Sequence, residues 1–155
     1  MVDRRDVGSW LQGPGARTRT PGEYPGGRLG MPPSGAGSIA RFGRRLGGVA
    51  IDWFLCLLIA QGVWGAGWGE TGPRSFIPLA VFAVENLLLV GTIGMTVGHR
   101  LVHIQVRNVA EGRAHPLQVL VRTVLLCLGL PALIWDRDGR GMHDRIANTV
   151  IVNTR

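Results

Sequence analysis

The chain has 155 residues, a formal net charge of +7 and an apolar content of 46%, which allows one domain and little more. All 17 basic residues are arginine, so the sequence lacks the lysine that a P-loop or a Schiff-base enzyme requires. All but one of the arginines lie outside the long apolar segments, and they form no nucleic-acid-binding motif. This indicates a membrane protein and gives no reason to expect nucleic acid as a partner.

Residues 1–40 are rich in glycine and proline. They contain nine glycines and five prolines, a fraction above the roughly 25–30% at which aperiodic Gly/Pro content is typical of disorder. They contain no apolar stretch like that of a secretory signal. The composition predicts a disordered cytoplasmic leader over 1–40, followed by a membrane domain over 41–155.

Three apolar segments follow, at about 46–66, 76–97 and 117–135. The first two have roughly the 20 residues that a helix needs to cross the apolar core of a bilayer. The third is shorter and is interrupted by Gly129 and Pro131. It is predicted either to cross the membrane or to enter and leave it on one side as a re-entrant helical hairpin.

Arginines flank these segments unevenly, with three before the first segment, one in the first loop and three in the second loop. They are, in chain order, Arg41, Arg44, Arg45, Arg74, Arg100, Arg107 and Arg113. Because loops on the cytoplasmic side carry an excess of arginine, we expect the N-terminus and the second loop in the cytoplasm and the first loop outside.

Two short stretches have the pattern of β-strands. Residues 100–107 alternate apolar and polar side chains, and residues 148–154 form a β-branched run. If these stretches pair, the C-terminal tail lies on the same side as the second loop, which favours the re-entrant form of the third segment. The predicted fold is an all-α membrane protein with a small cytoplasmic β element.

Four polar residues interrupt the apolar segments: Asp52, Glu85, Asn86 and Arg122. A charged group near the bilayer centre costs at least ~2.5–3.5 kcal/mol, so it is expected to face protein, to have a partner or to serve a function. Asp52 and Arg122 lie at similar depths, about 9 and 8 Å at roughly 1.5 Å per residue. This similarity predicts an ion pair between them.

These polar residues have three interpretations. They hold the helices together, they form a pathway for protons or ions along Asp52, Glu85, Asn86 and Arg122, or they form a face that binds a partner. Glu85 has no cation among its sequence neighbours, so it is expected to be either protonated or paired across helices.

Small residues mark the places where helices are expected to approach closely. Arg45 and Asp52 are two helical turns apart and share one face, and Gly48 lies between them on that face. Gly94 and Gly98, at the end of the second segment, are predicted to form a similar surface of small residues.

No motif indicates catalysis or a cofactor. Cys56 and Cys127 lie in apolar segments, where reduced buried thiols are expected. Residues 136–139 begin like a calcium loop but lack its remaining ligands, and His143 with Asp144 has no zinc-site spacing. We therefore expect no catalytic residue, metal site or cofactor, and we do not predict an enzyme.

Four stretches of the sequence carry a family resemblance. RFGRRLGGVAID, GMTVGHRLVHIQVR, VRTVLL and DRDGRGMHDRIANTVIV, in this order over about 41–152, resemble the RDD family of small bacterial integral membrane proteins. The family is named for an arginine and two aspartates, which match Arg45, Asp52 and Asp144 of this chain. The resemblance implies the bacterial cytoplasmic membrane, with transport as the usual suggestion and no defined substrate.

Two positions within the resemblance carry open questions. His99 stands where the family often has lysine, so the chain would offer a pH-sensitive charge in place of a fixed one. Asp144 is either a turn or capping residue, or it folds back to pair with Arg45 or Arg100.

Two functions remain open at this stage. The chain is a component of proton, cation or small-solute transport, or it is a non-catalytic accessory protein that binds a larger membrane complex. Because three short segments are too few to enclose a pathway, we expect self-association or binding to another membrane protein, within the lipid bilayer.

Overall fold

The computed structural model describes residues 24–110, 112–129 and 140–155. These residues are mostly helical, with a small two-stranded sheet. In chain order, the helices and strands are α1 (Phe42–Trp64), α2 (Ile77–Glu85), α3 (Val97–Leu101), β1 (Ile104–Asn108), α4 (Pro116–Cys127), α5 (Met142–Ile146) and β2 (Thr149–Asn153).

Two helical stretches are long and apolar enough to cross a membrane, namely Phe42–Trp64 and Gly72–Val90. The large apolar side chains of α1, among them Phe54, Leu58 and Ile59, are about half exposed. Arg45, Gly48 and Asp52, by contrast, are buried and face the protein. This arrangement suits a helix surrounded by lipid, because the apolar groups face outwards and the polar groups face protein.

The second stretch changes its helical geometry along its length. It begins with a 3₁₀ turn (Gly72–Phe76), continues as α2 and ends in a π turn (Asn86–Val90). The predicted segment 76–97 is therefore longer than the observed helix. The helical stretch ends before Gly94. The φ of Gly94 is 81°, in the left-handed region, where a residue without a Cβ is favoured. Gly94 thus lies in a turn, and the predicted helical surface it would share with Gly98 does not form.

β1 and β2 form an antiparallel pair in which Val106 lies opposite Ile151. The predicted pairing of the two stretches is confirmed. β1 begins later than predicted because residues 97–101 form α3, which Thr96 caps. The sheet packs against the helices in a core that comprises Ala40, Val90, Ile104, Val106, Val119 and Ile151.

Residues 24–40 differ from the disordered leader expected over 1–40. They include a 3₁₀ turn at Gly27–Leu29, and Ile39 is buried against Val150 and Val152. The amide of Ala40 donates to the carbonyl of Ile151 at 2.9 Å. An average composition over forty residues hides this short apolar stretch. Residues 1–23 lie outside the described residues.

The third apolar segment is described only in part. α4 begins with Pro116 at its first position. After α4 the backbone reaches Gly129, whose φ is 73°. The end of the predicted segment 117–135, including Pro131, lies outside the described residues. Whether this segment crosses the membrane thus stays a prediction.

Candidate functional site

The polar residues of α1 lie on one buried face. Arg45, Gly48, Asp52, Cys56 and Ala60 are all buried, and their spacing of three or four residues places them along one side of a helix. Arg45 and Asp52 therefore share a face, two turns apart. They contact different parts of the protein and belong to two separate polar clusters.

Asp52 is bound by the turn that begins α3. Its Oδ2 accepts a hydrogen bond from Thr96 Oγ1 at 2.5 Å, and its Oδ1 accepts one from the amide of Gly98 at 2.6 Å. Thr96 also caps α3 by accepting from the amide of His99. One side chain thus fixes both the carboxylate and the start of the helix.

The close approach of α1 and α3 depends on two glycines. A Cβ on Gly98 would clash with the carbonyl oxygen of Gly48 and would lie 2.8 Å from Asp52 Oδ1. A Cβ on Gly48 would lie 3.2 Å from the ring of His99. The absence of side chains at these positions brings the α3 amides within reach of Asp52.

A second carboxyl group, that of Glu85, lies beside Asp52 and joins the two candidate spans. Glu85 Oε2 accepts a hydrogen bond from Cys56 Sγ at 3.2 Å, and the amide of Val97 lies near the same side chain. The carboxyl groups of Asp52 and Glu85 lie close enough to interact with each other. Two neighbouring carboxyl groups repel each other when both are ionised, and one proton shared between them would relieve that repulsion.

Asn86 serves the π turn that follows Glu85. Its side chain is buried, and its Nδ2 donates to the carbonyl of Phe82 at 3.0 Å. A π turn shifts the helical hydrogen-bonding pattern, and such turns are frequent at functional sites. Asn86 binds a backbone carbonyl within its own helix and does not extend the carboxyl pair.

The second polar cluster surrounds Asp144. Arg122 Nη1 donates to Asp144 Oδ1, Thr149 Oγ1 donates to the same oxygen at 3.1 Å, and Arg45 Nη1 lies 3.6 Å from Asp144 Oδ2. His143 Nε2 lies 3.5 Å from that second oxygen. Asp144 is fully buried, so its charge is balanced by arginines and not by water.

The predicted pair between Asp52 and Arg122 is wrong, since the described partners of Asp52 are on α3 and α2, and Arg122 binds Asp144. Equal depth along two helices does not show which faces meet. The structure agrees with the alternative in which Asp144 folds back to Arg45. Asp144 makes this contact from within α5 and not from a turn.

The environment of Asp144 also affects its ionisation. Burial alone raises the pKa of this carboxyl group, but the charges of Arg122, His143 and Arg45 and the Thr149 hydrogen bond outweigh it and leave the pKa below its ordinary value. Asp144 is therefore ionised throughout the physiological pH range.

His99 lies beside both clusters and is buried. Burial, followed by the repulsion of Arg122 and Arg45, lowers its pKa to about 3, against a smaller opposing effect of Asp144. Its Nδ1 accepts a hydrogen bond from the amide of Thr96 at 3.3 Å. The structure therefore places a neutral imidazole at this position, and not the pH-sensitive charge expected from the sequence.

The chain matches a known protein family. The model of the RDD family matches residues 39–148, more than half of the chain. The chain belongs to the RDD family. No curated protein and no solved structure matches it significantly.

The three residues matched to the RDD name divide between the clusters. Asp52 belongs to the carboxyl pair, and Arg45 and Asp144 belong to the charged cluster. Within the described part of this RDD chain, no group of three or more His, Cys, Asp or Glu side chains is arranged to hold a metal ion.

Sequence reasoning missed three residues that build these clusters. Thr96 binds Asp52, Thr149 binds Asp144, and Cys56 binds Glu85. Thr96 had a recognisable signal, because a threonine before a short helix is a favoured N-cap. Cys56 lies four residues after Asp52 on the same face, but its partner on another helix cannot be read from that spacing.

Proposed function

We propose that this RDD chain is a component of proton, cation or small-solute transport in which Asp52 and Glu85 carry the exchanged proton. The observation that carries the proposal is the close approach of these two carboxyl groups inside the candidate spans. Ionisable groups within membrane segments often mark proton or ion pathways.

The pair has the chemistry that proton exchange needs. One proton held between two carboxyl groups can leave, and the negative charge left behind is then stabilised by Thr96, by Cys56 and by the amides that begin α3. A cation that enters the site takes the place of the proton, since carboxylate and hydroxyl oxygens suit small hard cations.

On this proposal, the chain lies in the bacterial cytoplasmic membrane as a multi-pass protein, with its N-terminus in the cytoplasm. The uneven distribution of arginines supports this orientation. A pathway through so small a domain requires more than one copy, or a second membrane protein, to enclose it.

The test is ion flux into liposomes that contain the purified full chain. A pH-sensitive dye inside the liposomes reports proton movement when a sodium, potassium or pH gradient is applied. We expect flux from the wild type, and a loss of at least roughly tenfold in Asp52→Asn and Glu85→Gln at equal folded amounts. Glu70→Gln, in the loop between the spans, changes charge equally and should retain flux.

An accessory role is the second candidate, and one observation favours it. Both oxygens of Asp52 already accept short hydrogen bonds from α3, as a purely structural carboxylate would. On this alternative, no cation or pH gradient produces flux, and the wild-type chain copurifies in fixed stoichiometry with a larger membrane complex.

A further inference from the structure

A groove of about 340 Å³ opens beside the N-terminal end of α1. It lies between residues 33–39, the first turn of α1 and the end of β2, and Ser34, Arg41, Arg44, Asn153 and Arg155 contribute to its lining. It is separate from the carboxyl pair and from the Asp144 cluster, because it shares no residue with either.

The groove is strongly basic. Arg41, Arg44 and Arg155 contribute three guanidinium groups, and among the described residues no Asp or Glu side chain lines it. These three side chains are exposed, unlike the buried arginines around Asp144. Side chains from distant parts of the sequence thus place three positive charges on one concave surface.

Neighbouring contacts hold two of these arginines in place. Arg44 Nη1 donates to Asn153 Oδ1 at 3.0 Å, and Asn153 Nδ2 donates to Ser38 Oγ at 2.9 Å. Arg155 Nη1 lies 3.3 Å from His103 Nε2. A guanidinium has several donors and uses them well on phosphate oxygens, so each arginine retains donors beyond these contacts.

The position of the groove relates it to the membrane surface. Arg41 occupies the N-cap position of α1 and Arg44 lies in its first turn, where this candidate span begins. Phe42 and Leu46, at the same end of α1, are 54% and 55% exposed. A basic groove next to exposed apolar side chains matches a molecule that has an anionic head and an apolar tail.

We propose that this groove binds the phosphate headgroup of an anionic phospholipid. The arginines contact the phosphate oxygens, and the acyl chains lie along Phe42 and Leu46 towards the bilayer. A zwitterionic lipid carries a compensating cation next to its phosphate, so three unbalanced guanidinium groups favour a lipid with net negative charge. This site is independent of the proposed proton exchange.

The test measures lipid binding to the full chain in detergent micelles by native mass spectrometry. The probes are short-chain phosphatidylglycerol, short-chain phosphatidylcholine and inorganic phosphate. We expect phosphatidylglycerol to bind at least roughly tenfold more tightly than phosphatidylcholine. The triple variant Arg41→Gln/Arg44→Gln/Arg155→Gln should lose about fivefold per arginine, on the order of 100-fold in all.

The matched control removes the same number of charges elsewhere. Arg100→Gln/Arg107→Gln/Arg113→Gln neutralises three arginines that are also exposed but lie outside the groove, and it should retain binding to within about threefold. Equal losses in both triple variants, or no preference for the anionic lipid, would overturn the proposal, because attraction would then depend on total charge alone.

A second variant keeps the arginines and their contacts. Ser34→Glu places a carboxylate on an exposed part of the lining and should weaken phosphatidylglycerol binding about tenfold without affecting folding. Unchanged binding in this variant contradicts the site. Displacement of the lipid by an equal concentration of inorganic phosphate contradicts the lipid as occupant and assigns the groove to a free phosphate.

Discussion

Arg45 Nη1 lies 3.6 Å from Asp144 Oδ2, and the two side chains are 5% and 0% exposed. They come from opposite ends of the domain, one from α1 and one from α5. Arg122 donates to the other oxygen of the same carboxylate. A single buried carboxylate thus joins α1 to α4 and to the C-terminal α5–β2 unit.

Asp144→Asn is predicted to destabilise the protein strongly. Removing one partner of a buried ion pair typically costs about 3–5 kcal/mol, because the remaining charge is left buried without compensation. The free energy of unfolding in mixed detergent micelles, followed by tryptophan fluorescence, measures this change. Arg107→Gln, on the exposed side of β1, should alter it by no more than about 0.5 kcal/mol.

Arg45→Met tests whether this effect runs through the ion pair. The substitution should cost less in the Asp144→Asn background than in the wild type, because the arginine has already lost its carboxylate. We expect a coupling energy of about 0.5–3 kcal/mol. Strictly additive losses would show that Asp144 acts without Arg45.

Thr96→Val removes a hydroxyl group while keeping the shape of the side chain. Asp52 Oδ2 loses the donor that lies 2.5 Å away, and α3 loses its capping oxygen. An unsatisfied buried acceptor costs about 1–3 kcal/mol, and a lost cap about 0.5–2 kcal/mol. Thr96→Ser keeps the hydroxyl and should retain most of the unfolding free energy; equal losses in both variants would contradict this account.

Gly98→Ala should destabilise the contact between α1 and α3 by roughly 1–3 kcal/mol, because the new methyl group overlaps the carbonyl of Gly48. Gly91→Ala is the matched control, since a Cβ there meets no atom within 4 Å. It should be neutral or slightly stabilising in a helical position. Thermal unfolding of both variants distinguishes a steric effect from general glycine replacement.

The pKa of His99 predicts how stability depends on pH. The histidine binds a proton near pH 6.5 in the unfolded chain but only near pH 3 in the folded protein. The contribution of His99 to the free energy of unfolding is therefore complete above about pH 6.5. This contribution is lost as the pH falls, by up to about 1.4 kcal/mol per pH unit. His99→Asn, whose amide oxygen can replace Nδ1, should flatten this dependence between about pH 4 and 6.5.

Gly91→Ala provides the control for that experiment, because it alters no titratable group and its new Cβ meets no atom within 4 Å. Its pH dependence of stability should match that of the wild type. The lowered pKa of Asp144 acts in a separate window, because its contribution is lost only as the pH falls below the ordinary aspartate value of about 3.9.

The sequence predicts the parts of this fold that depend on local pattern. Length and apolar content locate α1 and the second candidate span, and alternation and a β-branched run locate the two strands. The partner of Arg122 could not be predicted in this way, because depth along a helix says nothing about which helix faces it. The structure of residues 24–40 could not be predicted for a related reason. Ile39 is ordered by contact with β2 and not by its own neighbours in the sequence.

The charged cluster also has a consequence for the order in which the chain is made. Translation produces Arg45 and Arg122 before Asp144, so the first span is synthesised while its buried arginine still lacks this carboxylate. The guanidinium groups of Arg45 and Arg122 pair with Asp144 only after α5 has left the ribosome and folded back. A shortened chain that ends before α5 would retain both arginines without Asp144, so the ion pair distinguishes finished molecules from incomplete ones.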